Sequence, residues 1–154
     1  MKTWMATLLA ALFVTRASTE FACDVTVNTE STWFGSVADV SVGAVELLVQ
    51  NVGTTDVTVP YEVLLENPLY QTVNTAWNVQ DLRTEPGIVT GVCKEPWQDL
   101  YAQSDNMVEL GYVLQITDTA EQNTTADSFL PTFVSINGTE CTVSLGNTTA
   151  PGEY

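Results

Sequence analysis

Residues 131–143 read PTFVSINGTECTV. The stretch holds a glycosylation sequon, Asn137-Gly138-Thr139, and two residues further on Cys141 stands inside what reads as the last strand. Cys23, in ACDVTVN, stands beside a strand at the other end of the folded part. The chain has 3 cysteines, which predicts one disulfide and one thiol left over. If the first and last strands are neighbours, a bond between Cys23 and Cys141 closes nearly the whole domain. In the chain-entropy model a loop of that length contributes roughly 4–5 kcal/mol. Cys93 is then the odd thiol, either buried and inert or open to another chain.

The residues between these cysteines read as β-structure. CDVTVN alternates over Asp24 to Asn28, and AVELLVQN sets Val45, Leu47 and Val49 against Glu46, Leu48 and Gln50. VTVPYEVLLEN keeps the same period and is interrupted by Pro60, which marks an edge or a bulge. GIVTGV, MVELGYVLQIT, FVSI and CTVSL read as further strands, separated by turn clusters such as NVGTTD, ENPLY, TEPG and QSDN. No segment beyond residue 17 sustains a helical apolar period. Short strands at this spacing predict one all-β domain, an antiparallel β-sandwich of immunoglobulin-like or jelly-roll-like form.

The first residues predict export. Lys2 precedes an apolar run through Val14, and Thr15 and Ala17 suit a cleavage site, too short a pattern for a membrane span. Cleavage after Ala17 divides the chain into a signal peptide (1–17), a domain (18–145) and a short polar tail (146–154). The expected location is secreted, extracellular or in a cell wall. Sequons at Asn123, Asn137 and Asn147 agree with secretion, each a surface glycan site if the secretory route is eukaryotic. Beyond the leader only Arg83 and Lys94 stand against the 19 acidic residues. Such a surface repels phosphate backbones and anionic lipid, which excludes nucleic acid and membrane as partners.

The tryptophans suggest a partner. Trp33, Trp77 and Trp97 lie in polar contexts, outside any apolar alternating run. Rings so placed are expected to face water. The C–H face of a pyranose packs on a flat ring, and each such stack contributes roughly 1–2 kcal/mol.

Taken with the cysteines, these residues resemble the family 2 carbohydrate-binding modules of the cellulose-binding type, from Cys23 to about Leu145. SINGTECTV is similar to the family's closing pattern and CDVTVN to its opening strand. VELLVQNVGTTDV resembles its strand of alternating valines before a small polar turn. NTAWN resembles its middle tryptophan segment, and EPWQ with ELGYVLQ its third tryptophan and the strand after it. The resemblance implies a Cys23–Cys141 disulfide and a sandwich of about nine strands. It also implies a planar binding face of Trp33, Trp77 and Trp97 for crystalline cellulose or chitin. Asn74, Asn78 and Gln98 would donate hydrogen bonds to sugar hydroxyls. The chain departs from the family at Tyr61, where a tryptophan is common, in a longer segment from Trp33 to Val45, in Cys93, and in its acidity.

Histidine is absent, which removes Ser-His-Asp and Cys-His chemistry and histidine-ligated metals. No spacing among the acids singles out a glycosidase pair. Asp118, Glu121 and Asp127 in DTAEQNTTAD do not match an EF-hand loop and read as a solvated acidic loop. The chain is therefore expected to be non-catalytic, without cofactor or metal. The rival expectation is a secreted, glycosylated structural or adhesion protein. It would bind protein rather than sugar, with Cys93 forming an intermolecular disulfide.

Overall fold

The structure is a computed structural model that describes residues 20–28, 33–37, 40–116 and 125–146, with the backbone alone at 33–37 and 40. Its strands are β1 (Cys23–Asn28), β2 (Trp33–Val37), β3 (Val40–Asn51), β4 (Tyr61–Glu66), β5 (Tyr70–Trp77), β6 (Gln80–Glu85), β7 (Ile88–Cys93), β8 (Val108–Ile116), β9 (Phe133–Ile136), β10 (Thr139–Glu140) and β11 (Thr142–Gly146). A six-stranded sheet runs β11-β1-β3-β8-β5, with β2 also paired to β3. A five-stranded sheet runs β10-β9-β4-β7-β6.

Alternation along the central strands makes the sandwich. Val45, Leu47 and Val49 of β3 lie opposite Tyr112, Leu110 and Val108 of β8, and all are buried. Tyr61, Val63 and Leu65 of β4 are buried in the same core. Each such aliphatic side chain contributes about 1.5–3 kcal/mol when taken out of water. Phe129, in the 3-10 turn Ala126–Phe129, lies on Gly43 of β3, where a Cβ would come within 2.8 Å of its ring.

The disulfide joins Cys23 to Cys141 across 118 residues, with Cα atoms 4.7 Å apart. The first and last strands are indeed neighbours, but they pair in parallel, from Asp24 opposite Thr142 to Asn28 opposite Gly146. The two sheets are thus antiparallel apart from this one pairing. The bond sits where both strands begin, so it fixes their register at its origin.

Among the described residues there are eleven strands, where the resemblance implied about nine. It adds β2, β5, β6 and β10 to the strands legible in the sequence. Three of these, β5, β6 and β10, are sheet edges. Only part of an edge strand meets the core, so polar residues there do not alternate with apolar ones. Two further differences are small: Pro60 precedes β4, and β11 extends to Gly146. Residues 1–17, Asp118, Glu121, Asn123 and Asn147 lie outside the described residues. Among the described residues no helix is long and apolar enough to cross a membrane.

Candidate functional site

Trp77 is the last residue of β5 and lies opposite Gly111 of β8. A Cβ built on Gly111 would lie 1.7 Å from Trp77 Cε2 and 1.8 Å from Cζ2. The ring therefore rests on the backbone of β8, in space that only a glycine leaves. Along β8, residues 108, 110, 112 and 114 are buried and point inward, so Gly111 belongs to the outer face. Trp77 keeps 37% of its surface exposed there.

The chain leaves β5 through a turn that crosses to the other sheet. Asn78 takes the left-handed conformation, with φ of 68°. Its Nδ2 donates to the Glu109 carbonyl at 2.8 Å, which ties the turn to β8. Val79 then turns inward against Gly91 of β7, where a Cβ would lie 2.2 Å from Val79 Cγ1. Asn78 was expected to donate to sugar; one of its donors instead holds the turn that carries Trp77. Asn74 is exposed at the bulge of β5, where Val73 and Thr75 pair with Leu114 and Val113 and leave it over.

Trp97 occupies the middle of a 3-10 turn, Pro96–Gln98, and is 54% exposed. Its neighbour Gln98 corrects the sequence reading. Gln98 was expected to face sugar; it is fully buried. Its Nε2 donates to the Asn78 carbonyl at 2.5 Å and its Oε1 accepts from the Glu95 N–H at 3.0 Å. Its own carbonyl accepts from the Tyr61 hydroxyl at 2.8 Å. A buried amide must satisfy its groups internally, and these partners do so. The consequence for the site is that Gln98 bonds the segment carrying Trp97 to the turn that follows Trp77.

Tyr101 is a ring that the sequence reading missed. It is 51% exposed, four residues beyond Trp97. Its hydroxyl donates to Asp99 Oδ2 at 3.2 Å, and that carboxylate raises the phenol's pKa. Asp99 Oδ1 accepts from the Val59 N–H at 2.8 Å, which pins the loop to the chain before β4. No local spacing marks it: its outward direction is set by the neighbouring Leu100, which is buried and pairs with Val57.

Trp33 is placed by backbone register alone. It pairs with Ala44, which pairs with Val113, which pairs with Thr75. Thr75 and Trp77 are two residues apart on one strand, so positions 33 and 77 belong to the same face of the six-stranded sheet. Three strand spacings separate them, about 14 Å. Each stands opposite a small residue, Ala44 or Gly111.

Beneath this corner lies Cys93, fully buried at the end of β7. Burial pushes its thiol up to about 11, partly offset by a hydrogen bond with Tyr61. A disulfide to another chain would require the thiol to leave the core. Burial likewise raises the hydroxyls of Tyr61, Tyr70 and Tyr112, which stay protonated. Among the described residues no group of acids and cysteines is arranged to hold a metal ion.

No family model matches the chain, and no curated protein matches it. Among solved structures, it is similar to the chitin-binding domain of Chi18aC from Streptomyces coelicolor. The TM-score is 0.44 and the identity 15%, over 77% of this chain and 94% of that one. It is also similar to the chitin-binding domain of a chitinase from Pyrococcus furiosus. There the TM-score is 0.43 and the identity 12%, over 79% of this chain and 99% of that one.

Proposed function

We propose that this chain is a secreted, non-catalytic module that docks on an insoluble β-1,4-linked glycan, cellulose or chitin, through Trp77 and Trp97, with Trp33 extending the row. The observation that carries the proposal is the seat of Trp77. A large apolar ring lies on a glycine of the outer sheet face with more than a third of its surface open to water. A ring that served only the core would be covered. The Trp77 ring is seated before any ligand arrives, and the backbone that carries Trp97 is held by the buried amide of Gln98. Preorganised rings lose little freedom on binding, which leaves most of each stack's roughly 1–2 kcal/mol available. The carboxylates of Glu95, Asp99 and Glu109 in these segments accept hydrogen bonds from sugar hydroxyls, a role open to acids on a neutral ligand.

Titration with soluble cello- and chito-oligosaccharides, followed by tryptophan fluorescence, tests the reading. The emission should shift with one of the two series and not with a maltose series. No shift with either series, under conditions where the protein is folded, sinks the proposal.

A further inference from the structure

Asn137 is the sequon asparagine among the described residues, and the proposed platform gives it no role. We infer that Asn137 Nδ2 carries an N-linked oligosaccharide that lies over the outer face of the five-stranded sheet, away from Trp77. Asn137 and Gly138 form the two-residue turn between β9 and β10, with φ of 48° and 83°. This is the mirror-type hairpin turn that Asn-Gly favours. The side chain is exposed, and its orientation is fixed because Oδ1 accepts from the Glu62 N–H at 2.8 Å. Nδ2, the acceptor atom, has no partner among the described residues. A Cβ built on Gly138 meets nothing within 4 Å, so the turn stands in open space. Attachment forms a bond from Nδ2 to C1 of a lipid-diphosphate-linked oligosaccharide. The C1–O bond breaks, the lipid diphosphate leaves, and Nδ2 loses one proton.

The sheet face beside the turn suits the first sugars. Asn137 ends a row that continues through Glu62 to Val92. The next positions outward are Leu64 and Thr90, which face each other across β4 and β7. A depression of about 270 Å³ lies there, with Leu64 and Ile88 as apolar floor and Glu62, Glu85 and Arg83 at its rim. Sugar C–H faces pack on the former and hydroxyls bond to the latter.

Trp77 is remote from this face. β9 stands three strands from β6 in its own sheet, and β6 lies beside β5 of the other. With strands about 4.8 Å apart and sheets about 10 Å apart, the attachment point at Asn137 is about 17 Å from Trp77, and the two lie on outer faces of opposite sheets. Sites this far apart without shared partners behave almost independently.

The test is secretion of the full chain from a eukaryotic host, with glycopeptide mapping before and after peptide N-glycosidase. Asn137→Gln removes the acceptor. Thr139→Ala removes the signal while keeping the Asn137 turn, so a folding defect in the first variant does not decide the result. The peptide containing Asn137 is expected to carry glycan, and both variants are expected to lose it. Hydroxyl-radical footprinting at Leu64 and Val92 should rise when the glycan is removed, and polymer binding should change by less than about two-fold. An unmodified Asn137 in the secreted protein, or an unchanged footprint, overturns the inference. A loss of binding of about tenfold or more on deglycosylation overturns the assigned face. Absence of polymer binding in every form counts against the tryptophan platform alone, because mapping and footprinting read the glycan directly.

Discussion

Replacing Gly111 by alanine puts a methyl group where the Trp77 ring lies. The added carbon would stand 1.7 Å from Cε2 and 1.8 Å from Cζ2. An ordinary carbon–carbon contact is about 3.5–4.0 Å, so the ring must move by about 2 Å or swing out. Gly111 has an ordinary strand backbone that alanine adopts, so the change acts through the ring rather than through conformational strain. Overpacking of this kind costs about 1–3 kcal/mol of stability. If Trp77 stacks on sugar, its displacement removes about 1–2 kcal/mol of binding, a weakening of about 5- to 30-fold. The assay is isothermal titration with whichever oligosaccharide series binds, applied to wild type, Gly111→Ala, Trp77→Ala and the double variant. The double variant is expected to bind like Trp77→Ala alone and to be more stable than Gly111→Ala, because the clash has gone. Wild-type affinity in Gly111→Ala, with unchanged tryptophan emission, refutes the seat as the structure draws it.

Gln98→Ala leaves the Asn78 carbonyl and the Glu95 N–H without their partner inside the protein. Chemical denaturation should show a loss of about 1–3 kcal/mol, whereas Trp97→Ala, at an exposed position, should change stability by under about 0.5 kcal/mol. Equal, small effects of the two substitutions would contradict the buried latch. Reduction of Cys23–Cys141 should lower stability by roughly 4–5 kcal/mol, read from the denaturation midpoint with and without reductant, and an unchanged midpoint would contradict the closure argument. Stability should also fall at alkaline pH. The folded state holds Cys93 and the hydroxyls of Tyr61, Tyr70 and Tyr112 protonated above their ordinary values. Their contribution is complete below the unfolded pKa values, about 8.5 for the thiol and about 10 for the phenols, and is lost as pH rises because the unfolded chain releases protons that the folded chain keeps. A flat stability profile up to pH about 11 would contradict the burial of these groups.

The core strands were legible because both of their neighbours impose the same requirement. β3 lies between β1 and β8, so every second residue must be apolar, and Val45, Leu47 and Val49 show it. β6, QDLRTE, pairs on one side only and carries almost no such pattern. The parallel direction of β1 and β11 was not legible either, since an alternating strand reads the same in both directions. At the site, the polar surroundings of Trp77 and Trp97 did mark exposed rings. Gln98 was misread for the same reason: a polar residue beside an exposed tryptophan looks exposed too. What buries it is the reversal of direction within the 3-10 turn and the carbonyl of Asn78, twenty residues away in sequence. Tyr101 was missed because its partner Asp99 and the pairing of Leu100 with Val57 fix its outward direction, and neither is visible in local spacing.

The central claim is that Trp77 on its glycine seat grips an insoluble glycan. The most direct measurement is depletion. Wild-type and Trp77→Ala protein are mixed with microcrystalline cellulose, chitin and insoluble xylan, and the protein left in solution is counted after sedimentation. Wild type should be withdrawn by cellulose or chitin at micromolar concentration, roughly 8 kcal/mol of binding, while the variant should bind about 5- to 30-fold more weakly and xylan should withdraw neither. Withdrawal of both proteins to the same extent, or of neither by any of the polymers, would contradict the claim.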